Sequence, residues 1–301
     1  MKQLLWAMIL IISLVPWEVA QGNNKAAVFI SDTIKPYFEA VSGLEAGLKG
    51  KRVDLKIVEI KNMTQSEFGE TGKALLADGY TYWAAAGPEA MAKSYKCNLP
   101  QVSGRVYFMV LDPENVIEPS TVLSCGISLK ISVFRQVEEI IGAFPQGLKP
   151  GLIFDPRYNV GFAEQALSGF HTFGIPLSLL KVNSRNQVAQ VLAEGMKHLN
   201  MLWMIPDQTV ISESIIQYII KQAMERNIGI VGYNRYFVRQ GAVAAFVIDY
   251  EKVGRQAAQI LTDMMDGHAC QMPEPAFEFT VNTELIRLLG MEPVPEDGGV
   301  K

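Results

Sequence analysis

The sequence contains no run of basic residues and carries little net charge. Lys and Arg together number 27, and Asp and Glu number 31, which leaves a net charge of −4. Surfaces that bind nucleic acids need clustered positive charge, because most of their contacts are made to phosphates. We therefore expect no nucleic acid or other polyanion among the partners of this protein.

Cysteine and histidine are also scarce, with three residues of each type. An odd number of cysteines cannot form a fully paired set of disulfides. In an oxidising compartment one disulfide is expected, between Cys97 and Cys125, and three buried thiols are the alternative. The histidines are far apart and show no zinc-ligand spacing, so neither a metal nor another cofactor is expected.

Motifs of nucleotide-binding and hydrolytic enzymes are missing as well. The sequence has no G-x-G-x-x-G after its first predicted strand and no P-loop. Asp155 and Asp207 could pair for acid–base catalysis, and Ser212 or Ser214 could act as a nucleophile. No histidine lies near any of them in the topology inferred below, so no enzyme activity is predicted.

The first residues have the order of a secretory signal peptide. Lys2 precedes an apolar stretch at 4–17, and the small residues Ala20 and Gly22 follow before a polar segment. The apolar stretch is shorter than the about 20 residues that a membrane-spanning helix needs, and an uncleaved anchor is the alternative. We predict that residues 1–22 are removed, with cleavage after Ala20 as the alternative, and, because no cysteine stands near the cleavage point, that the periplasmic product carries no lipid.

Short apolar segments alternate with amphipathic segments along the rest of the chain. Residues 228–233 and 243–248 are short runs that are apolar on both faces, as in parallel strands covered on two sides. The second run precedes a segment, 251–266, with one apolar stripe at helical spacing. About nine such strand–helix units predict an α/β fold with helices on both faces of parallel sheets, and 301 residues suffice for two lobes.

Several stretches in this order are similar to those of a known family. They are LDPENV at 111–116, SCGISL at 124–129, GLIFDP at 151–156, LWMIPD at 202–207, GYNRYFVRQGAVAAFVIDYEKVGRQAAQIL at 232–261 and FTVNTELIRLLGM at 279–291. From about Ala26 to Met291 the chain resembles the solute-binding proteins of ABC-type uptake systems. The resemblance is to the group that includes tryptophan- and other amino-acid-binding members of the type I periplasmic-binding fold.

The resemblance implies two doubly wound parallel-sheet lobes joined by three crossovers. Carried onto this chain, it assigns residues 26–124 and 251–266 to lobe 1, residues 126–248 and 276–291 to lobe 2, and residues 292–301 to a flexible tail. The crossovers would fall near 125–129, near 249–250 and within 271–275. Many members of the family carry a threonine before the glycine of the first crossover, where this chain has Cys125 and therefore lacks a hydroxyl.

Polar residues follow the predicted strands at their carboxyl ends, where an open parallel sheet binds its ligands. The candidate ligand-binding residues are Ser31, Asp32, Gly87, Pro88, Glu89 and Asp112 from lobe 1, Asp155, Tyr158, Asp207, Tyr233 and Asn234 from lobe 2, and Asp249 at the second crossover. Each of them could instead be a cap or turn residue, because Asp, Asn and Ser favour such places for local reasons. Their convergence on one cleft is the prediction.

An amino acid would suit these groups. The free amides at the helix that begins near Pro88 could hold a carboxylate, and Asp207 or Asp249 could hold an ammonium group. Tyrosines at strand ends could enclose an apolar or aromatic body. We expect a monomeric protein that captures an amino acid, or an aromatic or apolar carboxylate, between its lobes and delivers it to an ABC permease.

Two alternatives use the same fold. A ligand-sensing module for a membrane receptor or kinase would differ only in its partner. The effector domain of a transcription regulator would need a helix-turn-helix at its amino end, where this chain has the predicted signal peptide.

Overall fold

The computed structural model describes residues 24–118, 125–144 and 147–291. The predicted signal peptide, residues 1–22, and the predicted tail, residues 292–301, lie outside the described residues. The strands are β1 (Asn24–Ile30), β2 (Val53–Glu59), β3 (Tyr82–Ala86), β4 (Gly104–Val110), β5 (Gly126–Ser128), β6 (Pro150–Phe154), β7 (Ser178–Lys181), β8 (Met201–Met204), β9 (Gly229–Gly232), β10 (Ala244–Ile248) and β11 (Phe277–Val281). The α-helices are α1 (Lys35–Leu48), α2 (Gln65–Ala77), α3 (Pro88–Lys96), α4 (Val133–Ala143), α5 (Pro156–Thr172), α6 (Val188–Gly195), α7 (Glu213–Met224), α8 (Arg235–Arg239), α9 (Tyr250–Met265) and α10 (Thr283–Leu288).

The strands form two sheets. The first has five strands in the order β2-β1-β3-β4-β5, all parallel to their neighbours. The second has six strands in the order β11-β10-β9-β8-β6-β7, and only the β10–β11 pair is antiparallel. The predicted α/β fold with two doubly wound lobes is confirmed.

Each sheet is covered by an apolar cluster on both faces, because its central strands are apolar in both directions. In β1, Val28 faces one cluster and Phe29 faces the other. In β8, Trp203 and Leu202 divide in the same way. None of the helices in the described ranges has the length and apolar character that crossing a membrane requires.

The chain passes between the lobes three times: from β5 to α4, from β10 to α9, and from α9 to β11. Helix α9 packs against α1 of the first lobe at very short range. A Cβ atom added at Gly254 would lie 1.8 Å from the carbonyl oxygen of Ala40, and one at Gly43 would lie 1.9 Å from that of Glu251. The two glycines therefore let α9 return to the first lobe after the second sheet.

Strand β5, which begins at Gly126, lies in the first lobe and not in the second. The family resemblance assigned residue 126 to the beginning of lobe 2, whereas β5 pairs with β4 in the first sheet. Pairing there covers the backbone groups along the outer edge of β4, which would otherwise be exposed. The first pass between the lobes therefore begins only after Ser128.

The predicted disulfide between Cys97 and Cys125 is wrong. Cys125 is bonded to Cys270, with the two Cα atoms 5.5 Å apart, and Cys97 is a buried free thiol. Cys97 lies in the cluster on one face of the first sheet, and Cys125 lies in the cluster on the other face. The sheet thus separates two cysteines that are close in sequence, and burial raises the pKa of the Cys97 thiol.

Candidate functional site

Each sheet has one place where the strand order reverses, between β1 and β3 in the first and between β6 and β8 in the second. Loops diverge at such a point and leave a crevice at the carboxyl edge of the sheet. Ser31 and Gly87 follow β1 and β3, and Asp155 and Asp207 follow β6 and β8. Four of the predicted site residues therefore stand at the two reversal points.

In the first lobe, Ser31 is linked to the beginning of α3. Its hydroxyl oxygen accepts a hydrogen bond from the amide of Ala90 at 2.8 Å. Gly87 precedes the helix with a φ of +100°, and a Cβ atom there would lie 2.6 Å from the hydroxyl oxygens of Ser31 and Tyr37. This turn requires glycine, and one of the amides offered to a carboxylate is already occupied by Ser31.

The other predicted residues at this edge have local structural roles: Pro88 begins a helix, and Glu89 and Asp32 form exposed ion pairs. Pro88 occupies the beginning of α3, where the missing amide costs nothing. Glu89 pairs with Lys93 of the next turn at 3.4 Å. Asp32 accepts a hydrogen bond from Lys61 at 2.7 Å, and that bond is the main reason why the pKa of Asp32 is lowered.

In the second lobe, Asp155 and Asp207 are both buried, with 0% and 1% of their surface exposed. The amide of Asp155 donates to Oδ2 of Asp207 at 2.8 Å. Thr209 joins the two carboxylates, because its hydroxyl donates to Asp155 at 2.6 Å and its amide donates to Asp207 at 2.9 Å. One hydrogen-bond network thereby links the residues that follow the carboxyl ends of β6 and β8.

Arg157 neutralises Asp155. Its Nε and Nη2 atoms both donate to the carboxylate, and its amide adds a third bond at 2.9 Å. These bonds hold the pKa of Asp155 far below its usual range. Asp155 is therefore a satisfied structural anion, and it is also the cap of α5.

Asp207 differs from Asp155, because no Lys, Arg or His of the described residues forms an ion pair with it. It accepts hydrogen bonds from the amides of Asp155 and Thr209 and, at 2.7 Å, from the side chain of Asn159. A carboxylate offers roughly four acceptor positions, so capacity remains. The charge of Asp207 contributes to the raised pKa of Arg157, whose guanidinium is nonetheless bound to Asp155.

A cleft of about 910 Å³ lies at this edge between the lobes. Its walls come from the end of β4, from the first pass, from α4 and α5, and from the strand ends of the second sheet. Five of the twelve predicted site residues line it: Asp112, Tyr158, Asp207, Tyr233 and Asn234. The other seven lie outside its lining: Ser31, Asp32, Gly87, Pro88, Glu89, Asp155 and Asp249.

Asp249 has a local role. Its carboxylate caps α9 by accepting the amide of Lys252 at 3.0 Å, and it also pairs with the ammonium group of Lys252 at 3.0 Å. Asn234 caps α8 in the same way but does line the cleft. The neighbours of Asp249 on either side, Ile248 and Tyr250, are the residues of this pass that face the cleft.

The walls of the cleft are mainly apolar and aromatic. The rings that line it belong to Tyr158, Phe162, Tyr233, Phe246 and Tyr250. Phe162 packs edge-on against the buried Trp203, with ring centroids 5.1 Å apart. Burial, with a smaller contribution from the charge of Asp207, raises the pKa of Tyr233 to about 12. Its phenol therefore stays protonated beside that carboxylate and is able to donate a hydrogen bond.

The basic residues of the cleft already have acidic partners. Lys130 pairs with Asp112 and, at 2.6 Å, with Glu114. Arg157 is bound to Asp155. Of the charged groups that line the cleft, Asp207 alone among the described residues lacks an ion-pair partner. The site is therefore suited to a ligand with a positive group and an apolar body.

Asn159 was missed by the sequence analysis. It lies inside α5 with φ −128° and ψ 25°, which breaks the regular helix and directs its side chain to Asp207. The signal in the sequence is weak: Asp155 and Pro156 mark a helix start, and a polar residue follows in the next turn. That pattern alone does not show that the neighbouring strand ends in an acceptor.

No group of three side chains suited to a metal ion occurs among the residues that the structure describes. The lining of the cleft instead offers the buried carboxyl group of Asp207, the protonated phenol of Tyr233 and an aromatic wall. It can hold a small organic molecule by charge and by apolar contact.

A family model described as ABC transporter substrate binding protein matches residues 27–286. No curated protein is similar at a significant level. The chain is similar to the ligand-free, open structure of CD0873, a substrate binding protein with adhesive properties from Clostridium difficile, at 17% identity and a TM-score of 0.71. That match covers 92% of this chain and 98% of the other.

Two further structures are similar to this chain. An ABC domain from Streptococcus pneumonia in complex with L-Trp is 16% identical, with a TM-score of 0.56 and coverage of 91% and 96%. A XylFII–LytSN complex is 12% identical, with a TM-score of 0.60 and coverage of 85% and 97%. At these identities the likeness shows the shared fold.

Proposed function

This chain belongs to the family of ABC transporter substrate binding proteins, and we propose that it captures an amino acid with an aromatic or apolar side chain and delivers it to an ABC permease. Binding of a solute is the property of the family. The observation that carries the choice of ligand is Asp207, a buried carboxylate in an aromatic cleft with no ion-pair partner among the described residues.

A buried charge is costly unless an opposite charge accompanies it. The ammonium group of an amino acid would supply that charge and fill the remaining acceptor position of Asp207. Tyr233 would add a protonated phenol beside it. A simple aromatic or apolar carboxylate fits less well, because it would bring a second negative charge to this end of the cleft.

The carboxylate of the ligand would face the first lobe. Tyr37 lies between the Ser31–Gly87 edge and the cleft, because it packs beside Gly87 and interacts electrostatically with Tyr250. Burial is the main reason why the pKa of Tyr37 is raised, and Asp32 and Tyr250 raise it further. Tyr250 lines the cleft. Closure would bring the edge formed by Ser31 and Gly87 toward the ligand, and hydrogen-bond donors from both lobes would then act together.

Closure is the step that a permease would recognise. A ligand that converts a mostly open protein to a mostly closed one must prefer the closed state by about 5 kcal/mol. Apolar side chains stand exposed on opposite walls of the cleft: Leu111 from the first lobe, and Tyr158 and Ile211 from the second. Burial of these side chains would contribute to that preference.

Proteins of this family typically act outside the cytoplasm, and they bind substrates without converting them. The prediction that residues 1–22 are a cleaved signal peptide and that the protein is a periplasmic monomer belongs to the proposal. No nucleic acid and no cofactor takes part. Asp155 is bound to Arg157, so we assign the pair of Asp155 and Asp207 to the ligand site and not to acid–base catalysis.

A role as the ligand-sensing module of a membrane receptor or kinase is the second candidate. The fold match to a chain of a XylFII–LytSN complex supports it. The cleft would bind the same ligand in either case. Capture of detergent-solubilised membrane partners by the ligand-bound protein distinguishes a permease from a receptor.

Thermal-shift measurements with the twenty amino acids and small aromatic acids test the ligand. We expect at least one aromatic or apolar amino acid to raise the melting temperature by about 5–10 °C at 100 times its Kd, since this adds about 2.7 kcal/mol. The Asp207→Asn variant should lose at least tenfold in affinity, and the matched variant Asp249→Asn, outside the cleft, should not.

The substitution at Asp207 places an amide donor near the amide of Thr209, so the ligand-free melting temperature of each variant serves as its own baseline. Binding that is equally tight in wild type and Asp207→Asn would contradict the assignment of the ammonium site. No response to any compound of the panel would contradict the amino-acid proposal.

A further inference from the structure

The third pass between the lobes, the linker between α9 and β11, is attached covalently to the first lobe. Cys270 of this linker is bonded to Cys125. Cys125 is 7% exposed, and its carbonyl oxygen accepts the amide of Tyr107 in β4 at 3.0 Å. The disulfide therefore fixes the linker to the edge of the first sheet.

Hydrogen bonds continue this attachment along the linker. The side-chain amide of Gln256 in α9 donates to the carbonyl oxygen of Glu274 at 2.8 Å and accepts the amide of Ala276 at 2.9 Å. The hydroxyl of Tyr107 lies 3.8 Å from the sulfur of Met272. From Cys270 to Ala276 the linker is thus part of the first lobe.

The end of the linker meets both other passes. The carboxylate of Glu274 accepts the amide of Ser132, in the first pass, at 2.9 Å. The carbonyl oxygen of Ala276 accepts the amide of Asp249, in the second pass, at 2.9 Å. We call the row formed by Ser132, Asp249 and Ala276 the hinge line, because all three passes are joined there.

We propose that the Cys125–Cys270 disulfide is a hinge brace that confines the rotation of the lobes to the hinge line. With the disulfide in place, the linker moves with the first lobe as far as Ala276. Without it, the contact between the hydroxyl of Tyr107 and the sulfur of Met272 is the one hydrogen bond that the described residues offer to hold the linker between Cys270 and Glu274 to that lobe, and the rotation spreads along the linker.

The brace affects the ligand site through closure, and this part of the inference rests on the proposed function. A loose linker has more freedom in the open state, and closure around a ligand removes it. Loss of the disulfide should therefore weaken binding by about three- to tenfold, as expected when preorganisation is lost. A disulfide that only stabilised the fold would change the melting temperature without changing the affinity.

Hydrogen exchange in the ligand-free protein tests the brace without any ligand. Peptides that cover the linker and the first pass are compared between wild type, Cys125→Ser/Cys270→Ser and the control Cys97→Ser, which keeps the disulfide. We expect at least tenfold faster exchange at Ser132 and Ala276 in the double variant alone. Equal exchange in all three proteins would overturn the proposal.

Dithiothreitol provides a second measurement should the double variant not fold. It transfers two electrons and two protons to the disulfide, yields the thiols of Cys125 and Cys270, and leaves as its own cyclic disulfide. Exchange at the hinge line should rise on reduction and return on reoxidation. If reduction does not speed hydrogen exchange at the hinge line, the proposed brace is refuted.

Titration with L-tryptophan and L-tyrosine separates the two proposals. Weaker binding by the double variant than by wild type supports the brace and its effect on closure. Equal binding, together with faster exchange, would refute the effect on closure. If wild type binds neither of these two and responds to none of the twenty amino acids in the thermal-shift panel, the proposed function fails, and the exchange measurement still decides whether the brace exists.

Discussion

Arg157 keeps a completely buried carboxylate in its charged form. The side chain of Arg157 is 58% exposed, so its own desolvation is small, while Asp155 is buried and accepts its hydrogen bonds. The lowered pKa of Asp155 means that the folded state binds this proton less readily than the unfolded chain. The ion pair therefore stabilises the fold above the unfolded pKa of about 4, and the stabilisation is lost as the pH falls below that value.

Replacement of Arg157 with Met should reduce this dependence on pH. We expect the variant to be destabilised by about 1–3 kcal/mol at pH 7, because the carboxylate of Asp155 stays buried with fewer donors. On acidification from pH 5 to pH 2.5 the variant should lose less stability than wild type, since its Asp155 begins with a higher pKa. Urea unfolding at several pH values measures both; parallel pH profiles would contradict the role given to Arg157.

Gly87 combines two constraints that can be separated. Its φ of +100° disfavours any side chain, and an added Cβ would also meet Ser31 and Tyr37 at 2.6 Å. We expect Gly87→Ala to destabilise the fold by about 2–4 kcal/mol. Gly174→Ala is the matched control, because φ there is +71° but nothing lies within 4 Å, and it should cost only about 1 kcal/mol. Similar losses in chemical denaturation for both variants would show that crowding at Gly87 is unimportant.

At the scale of elements, the contact between α1 and α9 is what returns the chain to the first lobe. A Cβ at Gly254 would overlap the backbone of Ala40. Gly142 is also inside a helix, α4, but an added Cβ there would meet nothing within 4 Å. The same substitution should therefore have opposite effects in the two helices.

We expect Gly254→Ala to lower the free energy of unfolding by about 3 kcal/mol or more, because backbone cannot yield as a side chain does. Gly142→Ala should raise it by about 0.5–1 kcal/mol, since alanine favours the helix. Guanidinium unfolding of both variants is the measurement. A Gly254→Ala protein as stable as wild type would mean that α9 can lie farther from α1.

Most elements follow from local patterns that the sequence displays. The strands β6 and β8 are apolar at every position and buried throughout, while β2 alternates and lies at the edge, as its pattern predicts. Strand β5 has only three residues, too few for any period to appear. Which of the two sheets β5 joins therefore depends on its pairing with β4 and cannot be predicted from its own composition.

The candidate site was only partly accessible from the sequence. Strand ends identified Asp207 and Tyr233, because polar residues after apolar runs are visible in the chain order. The partner of a cysteine depends on which face of a sheet it occupies, and that depends on the tertiary fold. The same is true of Asp249, whose carboxylate turned to its own helix, and of Asn159, which reaches a neighbouring strand end.

At the scale of the whole molecule, closure should remove from water the apolar side chains on both walls of the cleft. Burial of apolar surface gives a negative change in heat capacity. Leu111 is 41% exposed and Ile211 50% exposed, and both line the cleft from opposite lobes. The heat-capacity change on ligand binding should therefore exceed what the ligand surface alone accounts for.

Calorimetric titration at several temperatures with L-tryptophan, or with the amino acid that gives the largest thermal shift, measures this quantity. The Leu111→Ser/Ile211→Ser variant should show a smaller negative heat-capacity change and weaker binding than wild type, because closure then buries less apolar surface. Leu288→Ser is the control: that side chain is 75% exposed on α10, outside the lining of the cleft, and its loss should leave both quantities unchanged. If all three proteins give the same heat-capacity change, the ligand binds without bringing the two walls together, and capture by closure is wrong.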